Sequence, residues 1–190
     1  MAFNVGYLTS NRTSKGDEVY TPFYAVEPIL EFLPKNKKIW CPFDEEWSAF
    51  FQLLTERGFN VVRSSLNERQ DFFKYEPKNW DILVSNPPFS KKDEVLKRTF
   101  SFSKPFALLL PVHSIQSRQR FEIFQNQIQL LVFDKRINYH ADGNMQDTKK
   151  GNPFGSAYFC RNLLPTKLEM RKLIEYQRPL IGGDENGGNQ

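Results

Sequence analysis

The sequence predicts a doubly wound α/β domain, a mostly parallel sheet with helices on both faces, and three observations carry that prediction. Short apolar runs alternate along the chain with segments of helical spacing, the order that builds parallel sheets. Two of the runs, "DILVS" at 81–85 and "FALLLP" at 106–111, are apolar at consecutive positions, as strands covered on both faces require. Several runs stop at proline, which cannot continue a central strand.

Each element has its own signal. Residues 1–19 are polar, lack periodicity and read as an arm. In "YTPFYAVEPILEFLP", Thr21 is placed to cap a helix and Pro22 to open it. Val26, Ile29, Leu30 and Leu33 follow at helical spacing, Pro28 should start or kink the helix, and Pro34 ends it. "KKIWCPFD" is the first strand, and "EEWSAFFQLLTERGF" an amphipathic helix closed by Gly58. "NVVRSS" and "NWDILVSNPPF" are the second and third strands. "KKDEVLKRTFSF" is a helix, "PFALLLPV" the fourth strand, "IQSRQRFEIFQN" a helix, "IQLLVFDKRI" the fifth strand and "AYFCRNLL" the sixth. "TKLEMRKLIEY" reads as a basic amphipathic helix. Residues 177–190 are rich in glycine and polar residues and read as a flexible tail. The folded domain is thus expected over 20–176.

Composition sets limits. The 190 residues are 39% hydrophobic and 25% charged, enough for a core without disulfides or metals. The net charge of +4 favours a polyanionic partner without requiring one. Cys41 and Cys160 are the two cysteines. They lie far apart with no ligand-like companions, so they read as buried, reduced residues, and no metal site is expected. No apolar run is long enough to span a bilayer, and a cytoplasmic setting is the default expectation. Trp40, Trp47 and Trp80 are expected to anchor the core. His113 and His140 read as loop histidines, and 135–155 as a long polar loop.

Ligands of open α/β sheets sit beyond the carboxyl ends of the strands. Here those ends carry Pro42-Phe43-Asp44, Ser64-Ser65 and Ser85-Asn86-Pro87-Pro88-Phe89. Two consecutive prolines fix φ and push Asn86 toward extended backbone. The stretch is stiff and offers an amide oxygen and backbone carbonyls beside an aromatic ring. A nucleobase amine presents two N–H donors and a π-face, and fits such a site once it has left its stack. A strand stop with a buried Phe explains the same residues.

Asn86-Pro87-Pro88-Phe89 resembles the (D/N/S)-P-P-(Y/F) motif of S-adenosylmethionine-dependent amino-methyltransferases, especially those acting on the N6 amine of adenine. Tyr20-Thr21-Pro22 resembles the Y-T-P stretch that contacts the cofactor in these enzymes. Asp71-Phe72 resembles their segment beside the cofactor's adenine, and "NPFGSAYFC" their late strand at the target pocket. The resemblance runs over about 20–160, in the family's order, and looks like the phage or mobile-element type. It implies a Rossmann-like methyltransferase sheet with its sixth or seventh strand antiparallel, and methyl transfer to adenine N6 in DNA. Asn86, Pro87, Pro88 and Phe89 would hold the target. Tyr20, Thr21, Pro22, Pro42, Phe43, Asp44, Ser48, Asp71 and Phe72 would hold S-adenosylmethionine, Ser48 also being placed to cap the following helix. Lys135, Arg136, Lys149 and Lys150 would reach nucleic-acid phosphates. The chain departs from the family where D-P-F-x-G-x-G normally follows the first strand: Cys41 to Ser48 contain no glycine. Glu45 and Glu46 are expected to crowd Asp44 with like charge. A degenerate binding or regulatory protein, and an RNA or protein amino-methyltransferase, therefore stay open beside the DNA enzyme.

Overall fold

The structure is a computed structural model that describes residues 19–141, 144–148, 154–176 and 178. Seven strands form the main sheet in the order β3-β2-β4-β5-β9-β6-β10. They are β2 (Lys38–Cys41), β3 (Asn60–Arg63), β4 (Ile82–Ser85), β5 (Phe106–Pro111), β6 (Gln129–Phe133), β9 (Ser156–Arg161) and β10 (Leu168–Arg171). Neighbours are parallel except around β9, which runs antiparallel to both β5 and β6. The doubly wound, mostly parallel sheet expected from the sequence is what folds, and the antiparallel strand is the sixth of the predicted runs.

Alternation along the strands divides the core. Ile39, Cys41, Ile82, Val84, Ala107 and Leu109 pack on one face with helices α1 (Phe23–Leu30) and α2 (Ala49–Glu56). Trp40, Leu83, Phe106, Leu108 and Leu110 pack on the other with α3 (Lys92–Ser101) and α4 (Arg118–Phe124). The many phenylalanines join this core: Phe50, Phe106 and Phe159 are fully buried. So are Cys41 and Cys160, both free thiols. Among the described residues no helix is long and apolar enough to cross a membrane.

Three expectations give way to tertiary structure. "TKLEMRKLIEY" holds no helix: Leu168–Arg171 pair with β6 as the last strand of the sheet. Leu130 N–H donates to the Lys167 carbonyl and Asp134 N–H to that of Arg171, so the segment satisfies backbone groups that an amphipathic helix would leave open. Gln129 fixes the approach, accepting from Leu163 and Leu164 N–H and donating to the Leu164 and Thr166 carbonyls. In the first helix the cap position falls on Pro22 and not Thr21, and Pro28 sits inside the helix without ending it. The polar loop after β6 is not irregular throughout. His140–Ala141 (β7) pairs with Asn144–Thr148 (β8) and with Val19–Tyr20 (β1), a small sheet that joins the end of the arm to the domain.

Gly58 closes α2 as expected. It takes φ +76°, where a side chain would be strained, and its N–H donates to the Thr55 carbonyl.

Candidate active site

β3 lies on one side of β2 and β4 on the other, so the chain changes winding direction there and a crevice opens beyond the carboxyl ends of the two strands. It holds a cleft of about 220 Å³. Tyr20 and Thr21, Phe43 and Asp44, Ser48, and Asn86 with Pro87 and Pro88 all line it. Segments far apart in sequence, singled out for the cofactor and for the target, thus open onto one space.

Asp44 is the chemical centre of the cleft. It is buried, and Ser85 Oγ donates to its Oδ2 at 2.5 Å. The Ser48 hydroxyl provides a second hydrogen bond. No lysine or arginine among the described residues forms an ion pair with it. Burial raises the carboxyl from its ordinary 3.8 to about 7, against the opposing pull of the two serines. A carboxylate so placed is incomplete without a cationic group beside it.

The glycine-free loop is held by charge. Arg63, at the end of β3, pairs with Glu46 at 3.0 Å, Glu68 at 2.7 Å and Glu45 at 3.7 Å. Asn67 Nδ2 donates to Glu45 Oε1 at 2.8 Å. The expected crowding of Asp44 persists from Glu45, whose charge raises the Asp44 carboxyl, while Arg63 opposes it. Ser48 stands at the cap position of α2 without capping it; its Oγ accepts from Glu45 N–H at 2.8 Å and tightens the loop. Trp47 packs against the core from its edge, unlike the buried Trp40 and Trp80. It is half-buried in the cleft wall with its ring edge-on to Tyr20 at 4.9 Å.

Four expected cofactor residues stand back from the cleft. Pro22 and Pro42 are buried behind it. Phe72 is buried against Trp40 and against Phe43, whose ring lies 4.8 Å away. Asp71 braces its own turn, accepting from Phe73 N–H through Oδ1 and from Lys74 and Tyr75 through its carbonyl. Ser65, Leu66 and Asn67 from the loop after β3 line the cleft instead.

Beyond the prolines, Phe89 leaves the cleft wall and joins an aromatic cluster. Its ring lies edge-on to Tyr139 at 6.2 Å and to Phe154 at 5.7 Å, and His113 meets Phe154 at 6.0 Å. Tyr139 donates its hydroxyl to Ser156 Oγ, which fixes the back of the cluster. Lys92 Nζ donates to the Phe89 carbonyl. Lys135 pairs with Glu175 at 3.0 Å, at the exposed far side of β6, and Arg136 is exposed beside it. Lys149 and Lys150 lie outside the described residues.

Sequence reasoning missed Arg63, gave no individual role to Ser85 or Phe154 although it quoted the stretches that contain them, and placed Trp47 in the core without its part in the cleft. Ser85 stands next to Asn86 inside a stretch that the strand end itself marks. Arg63 could have been found as the basic residue at a strand end surrounded by acidic ones.

No protein-family model and no curated protein matches the chain. Among solved structures, a candidate class I S-adenosylmethionine-dependent methyltransferase from Listeria monocytogenes has a related chain course. It is 11% identical, covers 89% of this chain and 69% of its own, and aligns with a TM-score of 0.46.

Proposed function

We propose that this protein transfers a methyl group from S-adenosylmethionine to the exocyclic N6 amine of adenine in DNA. One observation carries the reading: Asp44, a buried carboxylate without a cationic partner among the described residues, shares a cleft with Asn86 and Pro87. The ammonium of S-adenosylmethionine would supply the missing positive charge, and Tyr20, Trp47 and Phe43 offer flat apolar walls around it. S-adenosylmethionine, when bound, supplies an electrophilic methyl group.

The rest is positioning by the chain. Asn86 Oδ1 would accept one hydrogen of the target amine and the Pro87 carbonyl the other, aiming the nitrogen lone pair into the cleft. Phe89 and Phe154 would give the extruded base an aromatic surface, which compensates for its lost stacking. Arg136, Lys149 and Lys150 would reach phosphates, as would Lys135 on leaving Glu175. Replacing Lys149 and Lys150 by alanine should flatten the salt dependence of DNA binding, by about 0.9 in slope for each phosphate no longer neutralised.

The test is labelled methyl incorporation offered side by side to DNA, RNA and protein, with Asn86→Ala as control. Incorporation into DNA adenine that depends on Asn86 is expected. Incorporation into RNA or protein instead would change the substrate class. Binding of S-adenosylmethionine with no transfer to any of the three would mark a regulatory protein.

A further inference from the structure

Ser85 and Asn86 are consecutive, yet they face different parts of the site. Ser85 is the last residue of β4 and is fully buried. Its hydroxyl points across to the neighbouring strand's loop and donates to Asp44 Oδ2 at 2.5 Å. Asn86 leaves the strand one residue later and lines the cleft. A buried hydroxyl aimed at a buried carboxylate on another loop thus ties the half of the cleft read as donor-binding to the half read as target-binding.

We propose that Ser85 is a positioning residue that couples the two half-sites, holding Asp44 in its ionised form toward a cationic ligand and fixing the start of the Asn86-Pro87 turn through the same hydrogen bond. The proposal rests on the methyl-transfer reading for the ligand's identity, but not for the hydrogen bond itself. A hydroxyl can donate to a carboxylate and stabilises its charged form. Without Ser85 the buried carboxyl loses one of its two hydroxyl donors. Of the other charged or titratable groups that face it, Glu45 on its own loop raises its pKa, Arg63 at the end of β3 lowers it, and Cys41 on β2 and Tyr158 on β9 are both held protonated by burial. None of these replaces the lost bond. Ser48 contributes the second donor, but it lies on the same loop as Asp44 and cannot couple that loop to Asn86.

The experiment compares Ser85→Ala, Ser85→Thr and Ser48→Ala. First, the Asp44 carboxyl is titrated in the ligand-free protein by carbon NMR, with Asp44→Asn to assign the signal. Ser85→Ala and Ser48→Ala should each raise the titration by about one pH unit; Ser85→Thr, which keeps the hydroxyl, should leave it near its native position. Second, S-adenosylmethionine affinity and kcat are measured separately. Ser48→Ala should weaken affinity alone, whereas Ser85→Ala should weaken affinity about tenfold and also lower kcat about tenfold. An unmoved Asp44 titration in folded Ser85→Ala overturns the proposal. So does a Ser85→Ala protein whose kcat is unchanged, since coupling to Asn86 is then absent. A moved titration in a protein that binds no S-adenosylmethionine sinks the methyl-transfer reading while leaving the hold of Ser85 on Asp44 standing.

Discussion

The loops that leave β2 and β4 start side by side at the same edge of the cleft, and they are made rigid in opposite ways. The β4 loop is stiffened by covalent geometry. Pro87 and Pro88 fix two φ angles, and the short helical turn Phe89–Lys91 follows at once. The β2 loop, Pro42 to Ser48, has one proline and three carboxylates, Asp44, Glu45 and Glu46. It is held by side chains: Arg63 of β3 pairs with two of them, and the third accepts from Ser85 of β4 and from Ser48 of the loop itself. A loop stiffened by its own backbone should tolerate changes of pH and salt. A loop held by compensated charge should not. The prolines suit the loop that must keep an amide oxygen and a carbonyl at fixed positions. The charge-held loop suits a partner that brings its own charge.

The largest effect expected from this contrast falls on Asp44. Its carboxyl is raised from 3.8 to about 7 by burial, so in the ligand-free protein it opposes folding wherever it is ionised. The sign follows from linkage. Below about pH 4 both folded and unfolded states carry the proton and nothing is lost. Between about pH 4 and 7 only the unfolded state releases it, and stability falls as pH rises. Asp44→Asn should therefore be more stable than the native protein at pH 8, by up to about 4 kcal/mol from ~1.4 kcal/mol per pH unit, and the gain should vanish at pH 4. Urea melts at the two pH values measure it. The same substitution should weaken S-adenosylmethionine binding at least tenfold, about 1.4 kcal/mol.

Next comes the proline-stiffened loop. Asn86→Ala should lower methyl transfer by ~10²-fold, about 2.7 kcal/mol, and leave cofactor affinity within a few-fold, because its hydrogen bonds are made to the target. Steady-state rates beside calorimetric affinities separate the two. Equal losses in both would mean that the two loops do not divide the work as described.

A smaller effect belongs to Arg63. Arg63→Ala leaves Glu45, Glu46 and Glu68 without their shared cation. With the guanidinium only 14% exposed and its partners more open, a loss of about 2 kcal/mol is expected, below that of a fully buried pair. Part of it should return in low-pH buffer that neutralises the glutamates, a recovery that no variant of Pro87 or Pro88 should show. The mildest change is Phe89→Tyr, which keeps the ring edge-on to Phe154 and should alter target affinity less than Phe89→Ala, itself about 1–3 kcal/mol.

How much of this is legible in the sequence depends on the kind of signal. The strands and their winding are legible because fully buried parallel strands leave unbroken apolar runs, as in Leu108-Leu109-Leu110. The meeting of Tyr20, Asp44 and Asn86 in one cleft is legible because strand ends carry sites in such sheets. Asp71 and Phe72 read as cofactor neighbours, but neither lines the cleft; a carboxylate bracing its own turn and a ring packed on Trp40 leave the same letters in the sequence. Leu168–Arg171 reads as helix because its apolar spacing fits that period, while the vacant edge of β6 that recruits it is a tertiary fact. Ser85 acts on Asp44, 41 positions away, and Arg63 joins Glu68 five positions ahead to Glu46 seventeen behind; the nearby acidic residue is visible in the sequence, but the long-range partners are brought close only by the sheet.

The most direct test is calorimetric titration of the full chain with S-adenosylmethionine at pH 6 and pH 8. With Asp44 titrating near 7, the carboxylate form rises from about one tenth to about nine tenths over that interval while an α-ammonium with a pKa near ~8 falls to about half, so binding to a single site should tighten about fivefold. Asp44→Asn should show no such gain. Absence of binding heat at millimolar S-adenosylmethionine at both pH values, from protein that is folded by circular dichroism, would contradict the assignment of this cleft.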